Sequence, residues 1–213
     1  MKKHIICLGD SNTHGYCADP RDCADGGNRF NEEERWTCLL QKKLGDGCLV
    51  LEEGLGGRTS VFADPLHEGM DALSMAAPLL LSHEPVDLLI LMLGTNDTKE
   101  RFSANAAAIA AGMERLIQKC RQTDCWAGQA PNILVICPPP MGEGFQDAVM
   151  GAGCREKSLA LPLYLEPVTE RSGARFLDAA GCEFNSIDRM HLSRRGHAQL
   201  ADLLADIVPG MLS

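Results

Sequence analysis

Three side chains in this sequence have the types and spacing for nucleophilic acyl chemistry: Ser11, Asp188 and His191. Ser11 follows Ile5-Ile6-Cys7-Leu8-Gly9-Asp10, where four apolar residues run into a glycine and a polar turn. That is the pattern of a buried strand ending in a tight turn, and in open α/β sheets ligands bind beyond such strand ends. A serine hydroxyl is a weak nucleophile until a neighbouring base takes its proton. Asp188-Arg189-Met190-His191 offers that base: at this spacing the carboxylate can meet imidazole Nδ1 and leave Nε2 for the hydroxyl. The competing reading of Ser11 is a turn serine or helix N-cap. His197, inside the final helical segment, is the rival base, and Asp178, a less local fit, is the rival orienter.

These residues need a scaffold that brings distant turns together. Apolar runs at 5–8, 48–51, 86–93, 133–137 and 174–177 read as strands, and helical stretches lie at 32–44, 69–82, 104–120, 153–172 and 194–207. The acidic run Glu32-Glu33-Glu34 suits the first turn of a helix, and Ser193 suits an N-cap. Five strands alternating with helices predict an α/β fold: a parallel sheet with helices on both faces, in a single domain spanning 1–213. Residues 17–31, rich in Asp, Gly and Asn, read as a long loop beside the Ser11 turn.

Composition narrows the functions. The 213 residues carry a net charge of −9, which argues against a partner bound by phosphate neutralisation, so no nucleic acid is expected. The apolar run after Met1-Lys2-Lys3 is too short for a secretory signal, and no apolar run is long enough to span a bilayer; a cytoplasmic protein without a membrane partner is expected. The ten cysteines contain no Cys-x-x-Cys and read as reduced thiols, with Cys17 and Cys23 the pair expected to be exposed. His4, His14, His67 and His83 form no metal-ligand pattern, and no metal or cofactor is expected.

Two further turns fit the same reaction. Gly54-Leu55-Gly56-Gly57-Arg58-Thr59 and Gly94-Thr95-Asn96-Asp97 each follow a strand. The first lacks the glycine spacing of a dinucleotide site and the Gly-Lys-Ser/Thr of a phosphate loop. Acyl transfer needs donors aimed at a developing oxyanion, and the main-chain N–H groups of Ser11 and Gly57 with the side-chain amide of Asn96 are the candidates.

Gly9-Asp10-Ser11, Gly57, Gly94-Thr95-Asn96-Asp97 and Asp188-Arg189-Met190-His191 stand in the order and spacing of the SGNH hydrolases, the GDSL esterase/lipase family, which the whole chain resembles. The resemblance implies a three-layer α/β/α, flavodoxin-like fold and a serine esterase with nucleophile Ser11, base His191, orienter Asp188 and oxyanion donors Ser11, Gly57 and Asn96. Cys7-Leu8-Gly9-Asp10-Ser11, Arg35-Trp36-Thr37, Glu52-Glu53-Gly54-Leu55, Arg58-Thr59, Met92 to Lys99 and Pro138-Pro139-Pro140 resemble the mycobacterial-type aryl esterase/acyltransferase branch, known for acyl transfer in water and perhydrolysis. That likeness implies short, acetyl-like acyl groups, water or an alcohol as acceptor, and an octamer whose neighbours narrow the channel. Asn12 and His14 replace bulkier apolar or aromatic residues of that branch, so a more polar entrance is expected. Adjacency to the motifs nominates Asn12, His14, Tyr16, Arg58, Lys99, Phe102 and Met190 for the pocket. A carbohydrate O-acetyl esterase and a catalytically silent binding module on the same fold are the alternatives.

Overall fold

The computed structural model describes residues 1–212. Its apolar runs form β1 (Lys3–Gly9), β2 (Cys48–Gly54), β3 (Leu88–Met92), β4 (Ile133–Cys137) and β5 (Arg175–Asp178). They make one sheet in the order β2-β1-β3-β4-β5, each pair parallel. β3 and β4 are buried along their whole length, which explains why they show no apolar/polar alternation: both faces are covered. Gly9 pairs with Gly54 on one side and Met92 on the other. Three adjacent strands therefore release their turns at one rim.

The helices are α1 (Ser11–His14), α2 (Trp36–Leu44), α3 (Ala72–Ser82), α4 (Ala106–Gln122), α5 (Cys154–Arg171) and α6 (Arg194–Leu212). Successive strand residues point to opposite faces. Ile6, Leu8, Leu89 and Leu91 accordingly pack with residues of α3, α4 and α5, while Ile5, Leu88 and Ile90 pack with residues of α2 and α6. Each such aliphatic side chain contributes about 1.5–3 kcal/mol by leaving water, so the two apolar layers hold the rim rigidly. One tryptophan serves each layer. Trp36 is fully buried and donates its indole N–H to the Asn12 carbonyl at 3.2 Å, and Trp126 donates to the Cys120 carbonyl at 3.2 Å.

Several local expectations change. The Ser11 turn is a short helix, N-capped by Asp10, whose carboxylate accepts the Asn12 amide at 2.9 Å. α2 begins at Trp36, so Glu32-Glu33-Glu34 lies outside its first turn. Glu34 is drawn away by the amides of Ala24 and Asn31 and by the Arg194 guanidinium at 2.6 Å. Cys17 and Cys23 are buried, against expectation, because Phe30 folds back to form a small apolar cluster with them. All ten cysteines are free thiols. Ser193 does cap α6, its hydroxyl accepting the Gly196 amide at 3.1 Å, and α6 runs on to Leu212. Among the described residues no helix is long and apolar enough to cross a membrane.

Candidate active site

α1 decides where Ser11 points. At about 100° per residue, a four-residue helix capped by Asp10 turns Ser11 to the rim while Asn12 and Thr13 face the interior, both buried. Gly9 admits this turn because a Cβ there would lie 2.0 Å from the Thr13 hydroxyl oxygen.

His191 arrives on the segment before α6, which is organised by Asn185. Its side-chain oxygen accepts the amides of Ile187 and Asp188 at 2.9 and 3.0 Å, and its amide nitrogen donates to Asp188 Oδ1 and the His191 carbonyl. Asp188 Oδ1 also accepts the amides of Met190 and His191. His191 Nδ1 donates to Asp188 Oδ2 at 2.5 Å, and Ser11 donates its hydroxyl proton to His191 Nε2 at 2.8 Å. The Tyr16 ring rests on the imidazole, centroids 4.6 Å apart. Burial pushes the Asp188 carboxyl up, but the hydrogen bond and charge of His191 and the two backbone amides outweigh it and hold the group at about 2. An ionised orienter is the state that steadies an imidazolium.

Ser11 and His191 open on a cavity of about 390 Å³, which Gly57 and Asn96 also line. Gly57 has φ +82°, and a Cβ on it would come within 2.3 Å of the His67 ring, so its amide is presented by a backbone conformation and a close approach that favour glycine. The Asn96 amide is steered from below by Asp10 Oδ2 at 3.4 Å. Burial raises the Asp10 carboxyl to about 6 against the opposing Asn12 amide and the charges of His191 and Arg58. Burial does the same to neighbouring Asp97, also about 6, whose Oδ1 accepts the Ser60 amide and hydroxyl.

Of the residues nominated for the pocket, Tyr16, Lys99 and Met190 line the cavity. The other four do not. Asn12 is buried, and its side-chain oxygen accepts the Leu192 amide at 2.8 Å, tying α1 to the histidine segment. His14 ends α1 against Gly54 of β2, where a Cβ would lie 2.2 Å from the His14 nitrogen. Arg58 is buried and donates to the carbonyls of Gly9 and Glu53, stapling strand ends. Phe102 stacks on Phe62 at 5.2 Å. A polar entrance due to Asn12 and His14 is therefore not what the chain builds. The rival histidine is elsewhere too: His197 accepts the Trp36 amide at 3.2 Å on Nδ1 and is held near 3 by burial and by the charges of His191 and Arg35. Asp178, at the end of β5, caps the Ala180 amide.

Four residues escaped the sequence reading. Asn185 carries the signal of an Asx turn three residues ahead of Asp188. Val149 and Met150, on the loop before α5, add an apolar wall with Met190. His67 also lines the cavity, with Nδ1 3.2 Å from Asp64 Oδ2, and Asp64-Pro65-Leu66-His67 repeats the Asp-x-x-His spacing of Asp188-Arg189-Met190-His191.

The sequence matches the GDSL-like Lipase/Acylhydrolase family over residues 7–199. The chain belongs to that family. Its membership and its esterase neighbours make it a carboxylic ester hydrolase acting on small-molecule esters with water. Among solved structures it is similar to a carbohydrate acetylesterase from Sinorhizobium meliloti, at 33% identity and TM-score 0.87, covering 99% of this chain and 100% of that one. It is similar to the native aryl esterase of M. smegmatis at 31% identity and TM-score 0.88, with 99% and 100% covered. A lipase/acylhydrolase from Enterococcus faecalis shares the fold at 17% identity and TM-score 0.69, with 99% and 97% covered. No curated protein sequence matches.

Proposed function

We propose that this chain is a serine esterase and acyltransferase that removes short, acetyl-like acyl groups through an acyl-enzyme on Ser11 and passes them to water or an alcohol. The observation that carries this reading is the continuous hydrogen-bonded relay from Ser11 through His191 to Asp188, opening on the cavity shared with Gly57 and Asn96. As Ser11 Oγ bonds to the carbonyl carbon, His191 Nε2 takes its proton and Asp188 balances the imidazolium. The amides of Ser11, Gly57 and Asn96 face the oxyanion. Collapse of the tetrahedral intermediate breaks the ester C–O bond, and His191 returns the proton to the departing alcohol. A water or second alcohol then gives a proton to His191 and attacks the acyl carbon; collapse of this intermediate breaks the bond from the acyl carbon to Ser11 Oγ, and His191 returns the proton to Oγ as the acid or new ester leaves.

The expected result is that Ser11→Ala lowers kcat on p-nitrophenyl acetate at least ~10³-fold; equal turnover by both proteins overturns the reading. Fluorophosphonate labelling of Ser11 separates it from a silent binding module. The apolar wall of Val149, Met150 and Met190 supports acyl transfer to an added alcohol, read as the ratio of new ester to free acid. The octamer implied by the family branch is part of this proposal; exposed Leu159, Leu163 and Tyr164 on α5 are consistent with contact between copies, and sedimentation tests it. A carbohydrate O-acetyl esterase is the second reading, favoured by the polar His67 on the cavity wall and by the likeness to the S. meliloti protein.

A further inference from the structure

His67 has no part in the relay, yet it lines the same cavity as Ser11, with its ring edge against the Cα of Gly57. Its orientation is fixed from behind. Nδ1 meets Asp64 Oδ2 at 3.2 Å, and Asp64 is itself held by Lys99 Nζ at 2.9 Å, Arg101 at 3.3 Å and the Leu66 amide at 3.1 Å. Lys99 and Asp64 are almost wholly buried, whereas the His67 side chain keeps 35% of its surface exposed. A carboxylate only accepts, so Nδ1 donates to Asp64, and the neutral ring held this way presents Nε2 as an acceptor. Among the described residues nothing donates to Nε2.

An acceptor waiting beside an oxyanion donor suits a substrate that brings a hydroxyl close to its ester carbonyl. We infer that His67 is a specificity-determining residue that accepts a hydrogen bond from a free hydroxyl next to the acylated oxygen, so that partly acylated polyols, sugars included, are the preferred esters. A simple alkyl or aryl ester leaves Nε2 unpaired or wetted, and a site built to hydrogen-bond a hydroxyl discriminates against an analogue lacking it. Partial exposure keeps the effect modest, on the order of tenfold.

The inference rests on the esterase reading above, and the test separates the two. 2-Hydroxyethyl acetate and 2-methoxyethyl acetate differ in the hydroxyl donor while their leaving alcohols are similar. The wild type is expected to favour the hydroxy ester in kcat/KM by about 5–10-fold. In His67→Leu that ratio should fall to about one, and His67→Gln, which keeps an acceptor, should recover part of it. A wild-type ratio near one, or a ratio unchanged in His67→Leu, overturns the inference while leaving the esterase reading intact. Failure of the wild type to turn over either ester overturns both.

Discussion

Two Asp-x-x-His segments bring their histidines to one cavity, and their backs are built alike: in each, one carboxylate oxygen accepts a backbone amide two residues on while the other holds the ring Nδ1. The fronts differ. His191 Nε2 receives the hydroxyl of Ser11, whereas His67 lines the cavity and, among the described residues, nothing donates to its Nε2. The counter-ions differ as well. Asp64 is shared with Lys99 and Arg101, while among the described residues no lysine or arginine pairs with Asp188. A carboxylate without another cation is available to balance an imidazolium at the moment one forms; a carboxylate already neutralised serves only to aim its ring. Local spacing thus makes the dyad, and what surrounds it sets the chemistry.

The contrast can be broken most directly by the same substitution on both sides. Asp188→Asn should lower kcat by about 10³–10⁴, because the amide favours the wrong tautomer of His191. Asp64→Asn should act first on stability, costing about 3–5 kcal/mol in urea melts, since it strands the buried Lys99 ammonium. Similar losses of activity without loss of stability would show that the two dyads do the same work.

Gly57→Ala probes the wall between them. The strained φ of +82° and the clash with the His67 ring should displace both the amide and the ring, with an expected loss of about 10²–10³ in kcat from a misplaced oxyanion donor.

The smallest effect is a pH profile of stability. For Asp64, burial pushes the carboxyl up, but the hydrogen bond and charge of Lys99, the Leu66 amide and the Arg101 charge hold it at about 2, as the His191 dyad does for Asp188. Both lie below the ordinary 3.8, so their stabilisation is present above that value and is lost as pH falls toward 2, about 2 kcal/mol for each. Asp10 and Asp97 run the other way. Raised by burial to about 6, they favour the fold most below 3.8, and that contribution is lost as pH rises through 6. Urea melts should therefore show a maximum near pH 4, and Asp97→Asn should flatten its upper side.

The strand runs and the four motif turns could be read directly because a parallel sheet buries apolar segments whole and delivers their ends to one rim. What could not be read depended on partners remote in sequence. Glu34 leaves the start of α2 for Arg194, and Cys17 is buried only because Phe30 returns to it. Asn12 turns inward because α1 is helical rather than an open turn, and its amide oxygen then meets Leu192, 180 residues away. Asp64-Pro65-Leu66-His67 was visible as a spacing but not as a wall of the site, since nothing local says that it folds over Gly57.

Trp36 donates to the carbonyl of Asn12, the residue after Ser11, while Trp126 lies in the opposite helical layer. The molecule thus carries its two indole fluorophores on opposite sides of its sheet. Indole emission from a Trp126→Phe protein reports the turn under Ser11 alone, so an acyl group arriving at or leaving Ser11 is expected to register in real time without a dye or a coloured substrate.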